Sequence, residues 1–171
     1  MDVSNERQTT QLRHKLSQGK VIAVGAFNAL VAKLIERAGF DAIYISGAGL
    51  ANSAGLPDVG LLTMTEVAAE AKLICDSVSV PVILDADTGF GDCRKTIETF
   101  EKLGLSGCHI EDQIEQKRCG HLDNKEIIPV EDMIKKIKNV YLIVAGNSHG
   151  EWDSHVDKTI KLGFVDRGLL D

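Results

Sequence analysis

The feature that most restricts the fold of this chain is the regular alternation of short apolar runs with helical patterns. Each run is apolar along its length rather than at every second residue. Strands of this kind, joined by helices, are typical of a parallel sheet that is covered on both faces. The sequence predicts five such strands, at Val21–Ala26, Ala42–Ser46, Pro81–Leu84, Gly107–Ile110 and Tyr141–Ala145.

Helical patterns fill the stretches between the predicted strands. Their apolar residues recur at a spacing of three and four, which places them on one helix face. The predicted helices are one stopped by Gly39, one starting near Thr65, one from about Asp92 to Leu103 and one from Val130 onward. A Gly-rich loop is expected at Gly47–Gly60, and a polar loop is expected at Gln113–Pro129.

Chain length decides how much of an α/β fold these units can form. The two main candidates are a doubly wound sheet and part of a (β/α)₈ barrel of the TIM type. A complete barrel typically needs ~250 residues, whereas this chain has 171. About five βα units therefore predict a partial (β/α)₈ barrel over residues 1–145. Residues 146–171 are polar and dotted with Gly, so an irregular, divergent tail is expected there.

Composition narrows the classes of partner. The net charge is −6 and the pI is about 5.4, with no basic stripe, which disfavours a nucleic-acid partner. The longest uncharged stretch, Ala42–Pro57, is too short and polar to span a bilayer, so no membrane partner is expected. The N-terminus has no apolar signal region, and the four cysteines lack regular spacing. We therefore expect reduced thiols and a cytoplasmic location.

Acidic residues cluster where the predicted strands end. Asp85 and Asp87 follow the third strand, Glu111 follows the fourth, and Asp58 lies in the loop after the second. The carboxyl ends of parallel strands share one edge of a sheet, and carboxylates gathered there repel unless a cation or protons intervene. Hard carboxylate oxygens with water suit Mg²⁺. The alternative is that these acids are caps and loop residues that are solvated independently.

A basic segment, Lys117-Arg118-Cys119-Gly120-His121, occupies the loop after the fourth strand. A thiol flanked by cationic side chains is favoured as the reactive thiolate. Gly120 would give such a loop the backbone freedom that a mobile gate needs. The alternative is an exposed basic loop in which Cys119 is incidental. Cys75 and Cys108 lie on apolar faces and are expected in the core.

Several segments together resemble one known family. They are GAFNAL, YISGAGLANSAGLPDVGLLT, VILDADTGFG, GCHIEDQIEQKRCGH and NKEIIPVEDMIKKIK, spread from about Val24 to Lys138. The chain is similar to the isocitrate lyase/phosphoenolpyruvate mutase superfamily, most of all to its methylisocitrate lyase branch. The cysteine of KRCGH favours the lyases over the phosphonate-handling branches.

The resemblance implies a reaction and a set of site residues. The implied reaction is Mg²⁺-dependent cleavage of 2-methylisocitrate, or a related 2-hydroxy tricarboxylate, to pyruvate and succinate. The resemblance implies that Asp87 holds Mg²⁺ most directly, with Asp58, Asp85 and Glu111 contributing through water. Cys119 is the implied general acid, and Tyr44 is implied to aid deprotonation of the alcohol. The implied substrate-binding residues are Ser46, Gly47, Ala48, Lys117, Gly120 and His121.

The chain also departs from the family pattern near its end. Where the family has an Arg-Thr-Asp segment after the fifth strand, this chain has Gly146-Asn147-Ser148. Later barrel units and the terminal helices that pack between subunits have no counterparts, so the chain is expected to be C-terminally truncated. Homo-oligomers remain possible without those helices. The alternatives are an impaired fragment that acts as a binding or assembly partner, or a lyase for a related 2-oxo or 2-hydroxy acid.

Overall fold

The structure, a computed structural model, describes residues 8–119 and 123–146. Within that part of the chain, four strands form one parallel sheet and six helices accompany it. The elements are α1 (Gln8–Gln18), β1 (Ala23–Ala26), α2 (Ala29–Arg37), β2 (Ala42–Ile45), α3 (Gly47–Ser53), α4 (Met64–Cys75), β3 (Val82–Asp85), α5 (Cys93–Lys102), β4 (Gly107–His109) and α6 (Val130–Gly146).

The strands pair in the order in which they occur along the chain. Ala23 of β1 lies opposite Ala42 of β2, Ile43 opposite Val82 of β3, and Leu84 opposite Cys108 of β4. A doubly wound sheet reverses its strand order at a switch point, whereas a barrel keeps the order sequential. The order β1-β2-β3-β4 therefore agrees with the predicted partial barrel.

The core lies between the sheet and its helices. Ile43 and Leu84 from the strands and Ile74 from α4 are fully buried, and Phe100 of α5 packs against the same cluster. Because parallel strands are buried on both faces, their sequences are apolar throughout, as the runs in this chain are. Among the described helices, none combines the length and apolar character needed to cross a bilayer.

Three of the predicted helices begin where the sequence places a capping residue. The side chain of Asn28 accepts the N–H of Val31 at 2.9 Å, and Asp92 caps α5 through Lys95. Thr63 and Glu66 form a reciprocal capping box at the start of α4. These contacts satisfy orphan backbone donors of the first helical turn, and they set the helix starts close to the predicted ones.

Two predicted elements are wrong. The predicted fifth strand, Tyr141–Ala145, is part of α6, so the described sheet has four strands rather than five. An apolar run of this length suits either a helix or a strand, and no Gly or Pro interrupts the helical pattern before it. The predicted loop Gly47–Gly60 begins with a helix, α3, because Ser46 caps it.

Helix α1 was not predicted, because it is mostly polar and buries only Leu12. The predicted division at residue 145 stays a prediction, since residues 147–171 lie outside the described residues.

Candidate functional site

The carboxyl ends of β3 and β4 carry the acidic residues of the candidate site. The N–H of Ala86 donates to the carbonyl of His109 at 2.9 Å, and the N–H of Glu111 donates to the carbonyl of Asp87 at 2.7 Å. These bonds continue the pairing of the two strands beyond their ends. Asp85, Asp87 and Glu111 are therefore held by backbone hydrogen bonds and not only by loop conformation.

Asp85 and Asp87 approach the start of α3 from the neighbouring strand. A Cβ atom added to Gly47 would lie 3.2 Å from Oδ2 of Asp85 and 3.3 Å from Oδ1 of Asp87. Asp87 has a positive φ of 48°, and its N–H donates to Oδ1 of Asp85 at 3.2 Å. Asp tolerates this left-handed conformation better than most residues. The missing side chain at Gly47 thus leaves a cradle that two carboxylates share.

Lys117 supplies a positive charge to this cradle. Its ammonium lies 2.8 Å from Oδ1 of Asp58 and also bonds Oδ1 of Asp87, while its side chain is only 2% exposed. The aliphatic stem passes Gly60, whose added Cβ would lie 3.3 Å from Cγ of Lys117. The loop after β4 is therefore tied to the loop after α3 and to the end of β3.

The pKa values in the site follow from burial and from these charges. Burial raises the pKa of Asp87; the bond to Lys117 opposes that rise, and the charges of Asp85 and Asp58 add to it. Burial would by itself lower the pKa of Lys117, but its bonds to Asp58 and Asp87 outweigh burial and raise it. Lys117 is thus a fixed cation among acidic groups, and one ammonium does not balance the surrounding carboxylates.

The donor set fits a hydrated Mg²⁺ ion. Within residues 8–119 and 123–146, no three His, Cys, Asp or Glu side chains meet closely enough to hold a metal by themselves. Mg²⁺ usually binds through one or two carboxylates and keeps several waters, so it does not require such a cluster. The cradle shared by Asp85 and Asp87 offers two carboxylates of this kind. The assignment of Asp58, Asp85, Asp87 and Glu111 to Mg²⁺ stays a prediction.

Tyr44 lies on β2 beside the acidic residues. Burial raises the pKa of its phenol, and the charges of Asp85, Glu111 and Asp87 raise it further. A phenol is neutral near pH 7 even at its ordinary pKa of about 10, so the hydroxyl of Tyr44 can donate a hydrogen bond. Its predicted part in deprotonating the alcohol is not tested by this geometry.

The predicted anion-binding segment lies at the start of α3. Oγ of Ser46 accepts the N–H of Gly49 at 3.1 Å as the helix cap. Gly47 and Ala48 occupy the first turn, where backbone N–H groups have no acceptor within the helix. The segment adjoins the carboxylates at Gly47, as the prediction requires. Substrate binding by Ser46, Gly47 and Ala48 stays a prediction.

The four cysteines differ in their surroundings. Cys119 is half-buried at the end of a described segment, next to the anchored Lys117. Burial raises the pKa of the Cys75 thiol to about 11 and that of Cys108 to about 12. Burial also raises the pKa of Cys93. Gly120 and His121, which were predicted to contact substrate, lie outside the described residues.

Sequence reasoning missed Gln113. Its side chain is 1% exposed and donates to Oε2 of Glu111 at 2.8 Å and to the carbonyl of Arg118 at 2.9 Å. Its Oε1 also accepts the N–H of Arg118 at 3.0 Å. A single Gln in a polar loop carries no signal of burial, so only the folded loop identifies it.

Comparison with known proteins places these features in context. The family model described as phosphoenolpyruvate phosphomutase matches residues 12–147. A probable 2-methylisocitrate lyase 2 from Corynebacterium glutamicum is 47% identical over 116 residues, which cover 66% of this chain and 38% of that protein. The chain therefore spans less than half the length of this relative.

Solved structures agree with the observed fold. The crystal structure of a 2,3-dimethylmalate lyase superposes with a TM-score of 0.75 at 37% identity, over 80% of this chain and 48% of that one. A phosphonopyruvate hydrolase in complex with oxalate and Mg²⁺ gives a TM-score of 0.71 at 33% identity, with the same coverage. These neighbours are barrel proteins of one superfamily, which confirms the predicted fold class of a partial (β/α)₈ barrel.

Proposed function

The chain belongs to the phosphoenolpyruvate phosphomutase family, and we propose that it provides the site of a Mg²⁺-dependent carbon–carbon lyase. The observation that carries this proposal is the convergence of Asp85 and Asp87 at Gly47, with Lys117 fixed beside them. Cys119 lies two residues further along the same loop. The site thus combines carboxylates for a hard cation with a thiol that can transfer a proton.

The proposed substrate class is a 2-hydroxy acid with several carboxylates. The relative from Corynebacterium glutamicum is named for 2-methylisocitrate, and the structural neighbour is named for 2,3-dimethylmalate. We propose 2-methylisocitrate as the substrate and pyruvate and succinate as products. A related 2-hydroxy or 2-oxo acid is the alternative, because the part of the site that reads substituents is not identified among the described residues.

The proposed chemistry assigns one role to each group. Asp58, Asp85, Asp87 and Glu111 would hold Mg²⁺, which when bound would stabilise negative charge on the oxygen of the 2-hydroxy acid. The proton of the substrate hydroxyl passes to a water molecule at the site, and the hydroxyl of Tyr44 hydrogen-bonds the oxygen that the proton leaves. The bond between the two substrate carbons then breaks, and its electron pair stays on the succinate fragment. Cys119 donates a proton to that carbon and completes the product.

Substrate carboxylates require donors, and the chain offers several at the site. We propose that the hydroxyl of Ser46 and the amides of Gly47 and Ala48 bind one carboxylate. Lys117, Gly120 and His121 are proposed to contact the substrate from the loop of Cys119.

The four cysteines are all thiols, which supports a reducing cytoplasmic setting.

The experiment that tests this function is release of pyruvate from 2-methylisocitrate by the purified chain with Mg²⁺. The proposal expects release that a chelator stops, and it expects Cys119→Ser to abolish turnover while Mg²⁺ binding persists. Release that is unaffected by the chelator would contradict the metal role. Turnover by Cys119→Ser at the rate of the unaltered chain would contradict the role of the thiol.

A second candidate function is that of a binding or assembly partner without turnover. The observation that favours it is the outer edge of β1, which has no strand partner among the described residues. Phe27, Leu30 and Leu34, which lie just before and on the helix α2 that follows β1, are exposed apolar side chains. Pyruvate release separates the two candidates, because an assembly partner predicts a folded chain without turnover.

A further inference from the structure

Gln113 holds both backbone groups of one residue, Arg118, in the loop that carries Cys119. Its carboxamide accepts the N–H of Arg118 at 3.0 Å and donates to the carbonyl of the same residue at 2.9 Å. Two bonds to the backbone groups on either side of one Cα fix that stretch of chain in both position and orientation. Cys119 is the next residue, so the position of its Cα, from which the thiol extends, follows from this orientation.

The anchor is itself rigid. The backbone of Gln113 forms an antiparallel bridge with Ile127. On either side of this bridge, the N–H of Ile114 donates to the backbone carbonyl of Glu126 at 3.1 Å. The N–H of Ile128 donates to the backbone carbonyl of Asp112 at 2.8 Å. The side chain therefore extends from a fixed point, and its burial leaves it little freedom to turn.

The same carboxamide also reaches the acidic site. Its second N–H donates to Oε2 of Glu111 at 2.8 Å, and Glu111 is 7% exposed. With two donors and one acceptor in use, Gln113 links a predicted site acid to the loop of the predicted general acid. Arg118 has an exposed side chain, so the bonds to Gln113, and not burial of Arg118, define its backbone position.

We infer that Gln113 is a positioning residue that orients Cys119 toward the acidic site and keeps Glu111 aligned with it. The role of Cys119 in this inference rests on the proposed function. The anchoring of Arg118 by the carboxamide of Gln113 does not depend on it. Lys117 anchors the same loop through its side chain, whereas Gln113 acts on the backbone nearer the thiol. Lys117 therefore cannot replace the orientation that Gln113 provides.

The first test uses the unaltered chain and measures hydrogen exchange of the Arg118 amide by NMR. The inference expects this amide to exchange at least roughly tenfold more slowly than in an unstructured peptide, the factor that one typical hydrogen bond provides. Exchange at the peptide rate would overturn the inference, because the carboxamide would then not hold the loop. This test needs no variant and stands whether or not a variant folds.

The second test compares Gln113→Leu with Gln8→Leu. Gln8 also donates from its side chain to a backbone carbonyl, that of Val78 at 3.2 Å, but Val78 precedes β3 and lies at the other end of the strand. Gln113→Leu is expected to speed alkylation of Cys119 by roughly tenfold, again the factor of one typical hydrogen bond, whereas Gln8→Leu leaves the rate unchanged. An unchanged rate in Gln113→Leu would overturn the inference.

The other cysteines report whether the variant is folded. If Cys75, Cys93 and Cys108 become reactive together with Cys119, Gln113→Leu has unfolded. Hydrogen exchange of the Arg118 amide in the unaltered chain then decides whether the inference holds.

Where the chain releases pyruvate, Gln113→Leu is expected to lower kcat by about 10²-fold with little change in KM, as misplacement of a reacting group does. A chain that anchors Arg118 without turnover would contradict the proposed function and leave the anchoring intact.

Discussion

Lys117 shows how one side chain can change the interpretation of an acidic site. Sequence reasoning placed it among the substrate-binding residues, which stays a prediction, and the structure also pairs it with Asp58 and Asp87. Its ammonium therefore bonds two of the carboxylates that we assign to Mg²⁺. Lys117 and a bound Mg²⁺ ion would therefore compete for the same oxygens.

This competition predicts that Lys117→Met binds Mg²⁺ more tightly than the unaltered chain. A charge-assisted hydrogen bond contributes about 1.5–3 kcal/mol, so the affinity should rise by roughly tenfold or more. Calorimetric titration measures the change. Lys15→Met is the matched control, because it also removes a Lys–Asp pair, the 2.9 Å pair with Asp41. Equal or weaker binding by Lys117→Met would refute the competition.

The cysteines provide a second prediction at this scale. Burial raises the pKa of Cys75 to about 11, which leaves roughly one thiol in a thousand as the reactive thiolate at pH 8. Cys108 and Cys93 are shifted in the same direction. Iodoacetamide at pH 8 should therefore modify Cys119 first, as peptide mass spectrometry would show. Equal modification of all four thiols would contradict the burial on which this order depends.

Residue-scale prediction from the sequence succeeded where a residue follows a strand. Asp87 and Glu111 could be placed together because the ends of β3 and β4 share one edge of a parallel sheet. The pairing of Lys117 with Asp58 and the burial of Gln113 could not be predicted. Both depend on how a long loop crosses the end of the sheet, and no periodic pattern encodes that path.

At the scale of elements, helices with capping residues were predicted closely and the ambiguous runs were not. Thr63 with Glu66 and Asp92 mark helix starts chemically, so α4 and α5 lie where expected. The run at Tyr141–Ala145 has no such mark and continues α6. Helix α3 was missed because its glycines suggest a loop, although Ser46 supplies the cap.

The turn between β3 and α5 yields a stability prediction. Gly89 has a φ of 95°, and an added Cβ would clash with the sulfur of Cys93. Gly39 has a similar φ of 84°, with no atom within 4 Å of its added Cβ. Gly39→Ala should lower the free energy of unfolding by about 1–2 kcal/mol, because Ala is strained in this backbone conformation. Gly89→Ala should lower the free energy of unfolding clearly more than Gly39→Ala does, because of the added clash with Cys93. Thermal denaturation of the two variants measures both losses.

Equal losses in the two variants would show that the turn accommodates the side chain. In that case the close packing of Cys93 beneath the turn would not restrict residue 89.

At the scale of the whole molecule, the described sheet is an open part of a barrel. β1 and β4 each have one neighbour among the described residues. The α2 patch, which consists of Phe27, Leu30 and Leu34, follows β1 along the chain. Open edges and contiguous apolar side chains favour association with another surface. The sequence predicted this partial barrel from the number of strand patterns, although it counted one strand too many.

The α2 patch predicts concentration-dependent self-association of the purified chain. Leu30 and Leu34 are 67% and 54% exposed, and they lie one turn apart on the same helix face. Leu30→Lys with Leu34→Glu should shift the chain toward monomer in analytical ultracentrifugation. Leu73→Glu, which alters a leucine on α4 that is 58% exposed, should not. A chain that is monomeric at every concentration would exclude the patch as an association surface.

The proposed lyase depends on one claim above all, that the acidic cradle binds Mg²⁺ through Asp87. Calorimetric titration of the unaltered chain and of Asp87→Asn tests it most directly, since Asn keeps the size of the side chain and tolerates its positive φ. Asp76→Asn, on an exposed Asp paired with Lys72, is the control. We predict saturable Mg²⁺ binding that Asp87→Asn abolishes and Asp76→Asn preserves. Undiminished binding by Asp87→Asn, or no binding by the folded unaltered chain, would contradict the account.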